Sequence, residues 1–400
     1  MPLGIGMLAG VFPPFIGGIQ THTLQLARRL VEHGVEVHVL TRHHTGLSRQ
    51  ECMDGVHVHR VGDAGLPRGI RAASYLLGAL ATLHRLRNDI HLLHAHQLMA
   101  PALVGYLGRA MLGKPLVLNP HSPVEVAQLQ ARGASGRLQL AAARRFGDAF
   151  VSICKPITVE LLRAGVDEGR IHFIPNGVDT RVFRPANSSE RAELRRELGL
   201  SDSPMVVYAG RLSYVKGIDV LLDAWPHLED RAQLCIVGDG EDAAALREHA
   251  AGLRGVRFVG PIRNPAPFLR AADVAVMPSR SEGLSVALLE AMSCGLSTVA
   301  TAVGGSPDAI DDGIDGLLVP PENPPALARA LIRALQTRSM GLAARARIVE
   351  GHSIDRVADR VLALYRSLCP APRHYFSMSP AVNGAVVATA DLPSTARTVK

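Results

Sequence analysis

Aromatic residues make up only 4% of this 400-residue chain, with a single tryptophan. No basic run is interleaved with aromatics, so the sequence offers no stacking surface for nucleic acid, and none is expected as a partner. Cysteine is scarce as well. The five cysteines, Cys52, Cys154, Cys235, Cys294 and Cys369, are scattered, odd in number and contain no CxxC pair. That pattern argues against a zinc ribbon and against a disulfide framework. No uninterrupted run of 18 apolar residues occurs, which speaks against a membrane-spanning helix. Met1–Ala9 lacks the charged start of a signal peptide. A cytoplasmic protein is expected.

The signatures of several enzyme classes are missing too. There is no GxxxxGK[ST] phosphate loop, no HExxH and no GxSxG elbow. Asp-x-Asp occurs nowhere, so the usual carboxylate pair for a metal-bridged diphosphate is absent. Neither a metal nor a cofactor is expected. Gly4-Ile5-Gly6-Met7-Leu8-Ala9 does match the dinucleotide fingerprint. It lies inside the first strand, and Pro13-Pro14 follows where a helix should begin, which speaks against a nicotinamide enzyme.

What is present is a chain built to bury cores. Apolar residues make up 47% and charged residues 20%, a balance that argues against global disorder. Four hundred residues exceed one ordinary core, so two domains are expected. The net charge of +7 favours anionic ligands.

Short strand candidates alternate with helical spacing, twice over. In the first half they are Val35–Leu40, Val56–Val61, Ile90–Ala95, Leu116–Asn119, Ala149–Ile153 and Ile171–Ile174. Leu24, Ala27, Leu30 and Val31 share a helical face between two of them. The second half starts over with Met205–Ala209, Gln233–Val237, Val256–Val259, Val274–Met277, Thr298–Ala300 and Leu317–Val319. Such alternation implies parallel sheets with right-handed crossovers. The polar stretch Ala186–Ser203 marks the boundary between the halves.

The expected fold class is therefore α/β, with two doubly wound parallel-sheet (Rossmann-like) domains facing across a cleft. The domains are expected over 1–183 and 184–352. A helix at Ile354–Leu368, within 353–370, follows, and its return to the first domain is one arrangement. Residues 371–400 shift to Ser, Ala, Thr, Val and Pro and are expected to form a poorly packed, flexible tail.

Ligands in doubly wound sheets bind beyond the carboxyl ends of the strands, and four motifs fall there. The first is Pro278-Ser279-Arg280-Ser281-Glu282-Gly283-Leu284-Ser285, continuing to Glu290. Eight helical residues span about 12 Å, which lets Glu282 reach a sugar ring while Glu290 reaches a ribose. The helix N-terminus between them offers free N–H groups to a diphosphate. Two glutamates on a helix surface are otherwise ordinary solvated charges. The second motif is Gly210-Arg211-Leu212 with Lys216-Gly217, in which two cations across a glycine-bearing loop can clamp a diphosphate. An ordinary basic loop looks the same.

The third is Gly17-Gly18 after Pro13-Pro14, where a backbone free of side chains can approach a phosphate or sugar. The fourth is His121 in Asn119-Pro120-His121-Ser122, at a strand's carboxyl end, where an imidazole can orient a sugar hydroxyl. His94 and His96 share a strand face and suggest a metal, but no third ligand is evident.

Together these pieces resemble the family 4 glycosyltransferases, which have the GT-B architecture. The likeness covers about Leu3 to Leu368. It rests on Gly17-Gly18, Asn176-Gly177-Val178-Asp179, Gly210-Arg211-Leu212 with Lys216-Gly217, Val237-Gly238-Asp239-Gly240, and Ser281-Glu282-Gly283 through Glu290. The resemblance implies a first domain that binds the acceptor and a second that binds a nucleotide-sugar donor, most readily a UDP- or GDP-sugar. It implies that Glu282 contacts the donor sugar and Glu290 the ribose, while Arg211 and Lys216 hold the diphosphate. Gly17 and Gly18 would lie under the donor phosphate, with His121 near the sugar. The loop around Val259–Ile262 would hold the base, and Gly238, Ser281, Gly283 and Leu284 would complete the donor site. Family members retain anomeric configuration, usually need no metal and close their domains on the donor. Many carry Glu three residues after the first of the paired glycines, where this chain has Gln20, and that puts an acidic role there in doubt.

A catalytic set of His121, Glu282, Arg211 and Lys216 is therefore expected, moving a sugar to a hydroxyl acceptor. Two rival readings share the fold: an epimerase that acts on a nucleotide sugar alone, and a degenerate transferase kept as a binding partner. Arg132–Arg145 mixes arginines with Leu138, Leu140 and Ala141–Ala143, which suggests peripheral contact with an anionic membrane; a solvated basic helix is the alternative.

Overall fold

Short runs of Val, Leu, Ile and Ala between glycines are too brief for stable helices and bury on both faces as strands. A computed structural model describes residues 2–337 and 339–369, so the expected tail over 371–400 lies outside the described residues. In chain order the first half runs β1 (Gly4–Ala9), α1 (Gly18–Glu32), β2 (Glu36–Arg42), β3 (Gln50–Met53), β4 (Val56–Val61), α2 (Arg68–Arg85), β5 (Leu92–His96), α3 (Ala100–Leu112), β6 (Leu116–Asn119), α4 (Glu125–Gln130), α5 (Ala134–Phe146), β7 (Ala149–Ser152), α6 (Lys155–Arg163) and β8 (Ile171–Phe173). Its sheet has the order β3-β4-β2-β1-β5-β6-β7-β8. Every pairing is parallel except that of β3 with β4.

The second half runs α7 (Ser188–Glu197), β9 (Met205–Ala209), α8 (Ile218–Ala224), β10 (Gln233–Val237), α9 (Ala243–His249), β11 (Val256–Gly260), α10 (Ala266–Ala271), β12 (Val274–Met277), α11 (Val286–Ser293), β13 (Ser297–Thr301), α12 (Ser306–Ala309), β14 (Leu317–Val319), α13 (Pro324–Gln336), α14 (Ser339–Arg347) and α15 (Ile354–Leu368). Its sheet is wholly parallel in the order β11-β10-β9-β12-β13-β14.

Two departures from the sequence reading have plain causes. Between the strand candidates Val35–Leu40 and Val56–Val61, where no strand is expected, lies the antiparallel edge strand β3. Met53 pairs with Val56 across Asp54-Gly55, both at positive φ, the Asp-Gly hairpin signal. The polar stretch Ala186–Ser203 is not a bare linker. Asn187 and Glu190 close a capping box that starts α7, and buried Arg195 ties this helix to Asp273 at 2.7 Å.

Alternation along β5 sorts the helices into layers. A Cβ on Gly108 of α3 would meet Leu93 and Leu83 of α2 at 2.9 Å, so odd positions of β5 face α2 and α3. His94, on the opposite face, bonds Tyr365 of α15 through its Nδ1 at 2.6 Å. Helix α15 packs along α1, so the last helix of the second half lies on the first sheet. The chain crosses between halves twice, and the two crossings pair with each other. Val178 donates its N–H to His352 and accepts from Ile354, both at 2.9 Å. Arg29 of α1 locks this junction, reaching Asp179 and Asp355 at 3.2 Å each.

Replacing Tyr365 with Phe removes the partner of a fully buried imidazole. The expected loss is about 1–3 kcal/mol of folding stability, read as a lower urea midpoint at unchanged slope. An unchanged midpoint would show that the His94–Tyr365 bond does not hold α15 to the sheet.

Candidate functional site

The loop Pro278–Ser285 connects β12 to α11. The helix starts only at Val286, capped by Ser285, whose side chain accepts from the Leu288 N–H. Glu282 therefore precedes the helix by four residues, and the straight-helix spacing of about 12 Å to Glu290 does not apply. Neither glutamate is a solvated surface charge. The Glu282 side chain is mostly buried and accepts from Lys216 Nζ at 2.5 Å and from Ser279 Oγ at 2.9 Å. Ser279 is fixed in turn by Thr301, whose hydroxyl donates to the Ser279 carbonyl at 2.5 Å. Among the described residues the N–H groups of Ser281, Gly283 and Leu284 have no protein acceptor.

The Arg211–Lys216 loop leans directly on this one. Gly217 has φ 65°, and a Cβ there would lie 2.1 Å from the Pro278 carbonyl oxygen, so only glycine fits. Arg280 clamps the two loops. Its guanidinium meets both Asp219 oxygens at 2.7–2.8 Å, donates to the Tyr214 carbonyl at 2.7 Å and lies over the Tyr214 ring. The Asp219 carboxylate is held below its ordinary pKa by this bidentate partner. Lys216 is thus positioned from both sides. Arg211 is exposed and makes no ion pair among the described residues, leaving its guanidinium available to a ligand.

Gly238 is explained by packing: a Cβ there would lie 1.8 Å from the Gly210 carbonyl. Its N–H donates to the Gly260 carbonyl at 2.9 Å, which aligns it with the end of β11. Val259 and Ile262 flank that point, both half-buried.

The first half contributes the facing wall. Gly18 opens α1 opposite the start of α11, with Val286 side-chain carbons 3.7 Å from where its Cβ would be. At Gly17 a Cβ would crowd the Gln20 side-chain oxygen at 2.4 Å, so Gln20 folds back on the glycine pair. The His121 carbonyl meets Gly283 across the cleft, where a Cβ would lie 2.1 Å from its oxygen. The His121 ring turns inward, with Nε2 3.1 Å from His96 Nδ1 and the rings stacked. Buried Glu125 holds the backbone here, accepting the His121 N–H at 2.8 Å and the Leu98 N–H at 2.6 Å.

Burial sets the protonation states. His121 and His96 are held well below the ordinary imidazole pKa, and His22 is lowered to about 4, each chiefly by desolvation. These imidazoles are neutral at pH 7. His94 and His96 share a face as expected, yet among the described residues no group of His, Cys, Asp and Glu has a geometry that could hold a metal. The two rings stack on each other instead. Glu290 is pushed up to about 8 by burial alone. No hydrogen bond or ion pair reaches its carboxyl among the described residues.

The structure adds residues that hold the candidate loops in place and to which the sequence motifs assign no role. Arg280 sits inside the quoted motif but was given no role, because its partners Asp219 and Tyr214 lie some 60 positions away. Asn176 donates to the Leu284 carbonyl at 2.8 Å across the domain junction, with its side-chain oxygen buried and unpartnered. Its place in Asn176-Gly177-Val178-Asp179 was the available signal.

Two family models match the chain: Glycosyltransferase Family 4 over residues 16–182 and Glycosyl transferases group 1 over residues 203–337. Among curated relatives, the D-inositol 3-phosphate glycosyltransferase of Xylanimonas cellulosilytica is 33% identical, covering 87% of this chain and 91% of that protein. The alpha-maltose-1-phosphate synthase of Mycolicibacterium smegmatis is 28% identical, covering 91% and 99%. Among solved structures, sucrose-phosphate synthase from Thermosynechococcus elongatus superposes with a TM-score of 0.77 at 26% identity, covering 92% of this chain and 99% of that one. Anabaena HepE in complex with UDP and glucose superposes with a TM-score of 0.77 at 20% identity, covering 91% and 99%.

The raised Glu290 pKa has a signed consequence. The folded chain keeps this proton up to about pH 8, while the unfolded carboxyl loses it near 4.5. Between those values the folded state binds more protons, so the Glu290 contribution to stability declines as pH rises. Relative to Glu290→Gln, which cannot titrate, the wild type is expected to lose on the order of 5 kcal/mol across that window. Urea titrations of both proteins at several pH values check this, and a constant difference would contradict it.

Proposed function

Because the chain belongs to glycosyltransferase family 4, with the GT-B fold, we propose that this glycosyltransferase uses a UDP- or GDP-sugar as donor. It transfers the sugar to a hydroxyl acceptor with retention of configuration and without a metal. One observation carries this reading: a held cation, Lys216 on Glu282, stands at a loop with three unpartnered N–H groups, and the helix that follows carries Glu290, buried with no partner among the described residues. A nucleoside diphosphate sugar meets all three needs. Its diphosphate takes Lys216, Arg211 and the N–H groups of Ser281, Gly283 and Leu284. Its ribose hydroxyls supply the partners that Glu290 lacks.

The step follows from that arrangement. The bond from the sugar C1 to the diphosphate oxygen breaks while Arg211, Lys216 and the loop N–H groups stabilise the charge left on the phosphate. The acceptor oxygen bonds C1 on the same face, and its proton passes to the departing phosphate oxygen. Glu282 keeps Lys216 aimed, and the His121 segment borders the sugar. The fixed cations take the place of a bridging metal, so turnover is expected to survive chelation.

A phosphorylated acceptor fits the first domain. The His44 ring lies tilted against that of Phe15, two residues before Gly17, with centroids 4.4 Å apart. Burial first, then Arg42, His43, Arg71 and Arg60, lowers its pKa, so cations converge there. Arg60 is engaged by Glu51, while Arg42 lies over the Tyr75 ring. The D-inositol 3-phosphate named for the 33% relative has the matching charge.

Lys216→Ala and Arg211→Ala are each expected to cost about 3 kcal/mol in barrier, roughly a hundredfold in kcat/KM. Steady-state assays with UDP- and GDP-sugars, with and without EDTA, check this. Undiminished turnover in both variants would remove these residues from the mechanism, and abolition by EDTA would overturn the metal-free step.

A further inference from the structure

The positive charge of this chain is concentrated in one stretch. Between Arg68 and Phe146 the sequence carries ten Lys and Arg against two Asp and Glu, a net of +8, whereas the whole chain is +7. The remaining residues are close to neutral. Helices α2, α3 and α5 lie in this stretch and contain no acidic residue at all. They form one continuous layer, α2 on α3 and α3 on α5, on the face of the first sheet opposite α1 and α15. Of the two acids in the stretch, Glu125 is buried and spent on backbone N–H groups. Asp89 lies beyond the end of α2.

The same layer exposes large apolar side chains. Leu138 of α5 is 74% exposed and Leu77 of α2 67%. Leu103, Leu107 and Met111 of α3 are exposed at four-residue intervals and so line one side of that helix. Arg137 and Arg145 flank Leu138 on α5, and neither makes an ion pair among the described residues. Arg109 of α3 is paired with Asp148, so the unpaired cations beside these apolar side chains are those of α5, and together they match a surface that is apolar below and anionic above.

We propose that the outer face of α2, α3 and α5 docks on an anionic lipid bilayer, with the leucines inserting at the headgroup boundary and the arginines meeting lipid phosphates. This broadens the basic segment Arg132–Arg145 into a three-helix surface, and it stands independently of the sugar-transfer reading. Charge decides the occupant. A second copy of this chain would bring the same cations against themselves, whereas an anionic membrane complements them.

The test is co-sedimentation of the full chain with phosphatidylcholine vesicles, with and without about 30 mol% phosphatidylglycerol, at about 20 mM salt. Binding is expected only to the anionic vesicles, and salt should weaken it. Arg137→Gln with Arg145→Gln should weaken partitioning roughly twenty-fivefold, about fivefold for each charge. Leu138→Glu should weaken it alone. Arg196→Gln with Arg247→Gln, in the second domain, should bind like wild type, and all variants should keep the wild-type melting temperature. Three results would overturn the proposal. One is no sedimentation of wild type with anionic vesicles. Another is equal loss in the face and control variants. The third is light scattering that shows a dimer dissolved by Leu138→Glu, which would assign the face to a second copy.

Discussion

The two domains touch backbone to backbone at Gly283, where a side chain would collide with the His121 carbonyl oxygen. Much of the candidate site depends on that approach. It brings the loop before α11 against the end of β6, and it sets Gly18 opposite Val286. Behind Gly283, Gly304 and Gly305 pack equally closely, and the Gly305 N–H donates to the Gly283 carbonyl at 2.6 Å. The loop is thus held between the first domain and its own sheet with no slack for a larger residue. Glu282 is positioned by this wedge, and Lys216 by Glu282.

The electrostatics follow from the same closure. Excluding water leaves His121, His96 and His22 neutral and Glu290 protonated near neutral pH. A neutral cleft wall with one engaged ion pair tolerates burial far better than isolated charges would.

The layered α/β architecture was legible because buried parallel strands announce themselves as short apolar runs, and each strand in the second half falls where such a run was read. The antiparallel β3 was missed because Gln50, Glu51 and Cys52 are exposed and carry no apolar pattern; only Asp54-Gly55 marks it. Helix α7 was hidden by composition, since its charged residues bury little besides Arg195. In the site, residues whose chemistry shows in a short motif, such as Glu282 with Glu290 and Arg211 with Lys216, were legible. Residues that act through distant partners were not. Arg280, Asn176 and Glu125 work by contacts to residues 61, 108 and 27 positions away, and a short motif does not spell out such partners.

The central claim is that the wall formed by Pro278–Glu290 and Arg211–Lys216 binds a nucleoside diphosphate sugar. Thermal unfolding with a panel of UDP-, GDP- and ADP-sugars, and NAD as control, tests it most directly. A ligand at about 100 times its Kd stabilises the folded state by about 2.7 kcal/mol, a rise of several degrees for a chain of this size. A rise with at least one sugar nucleotide, and none with NAD, is predicted. A rise with NAD alone, or with no sugar nucleotide in the panel, would contradict the account.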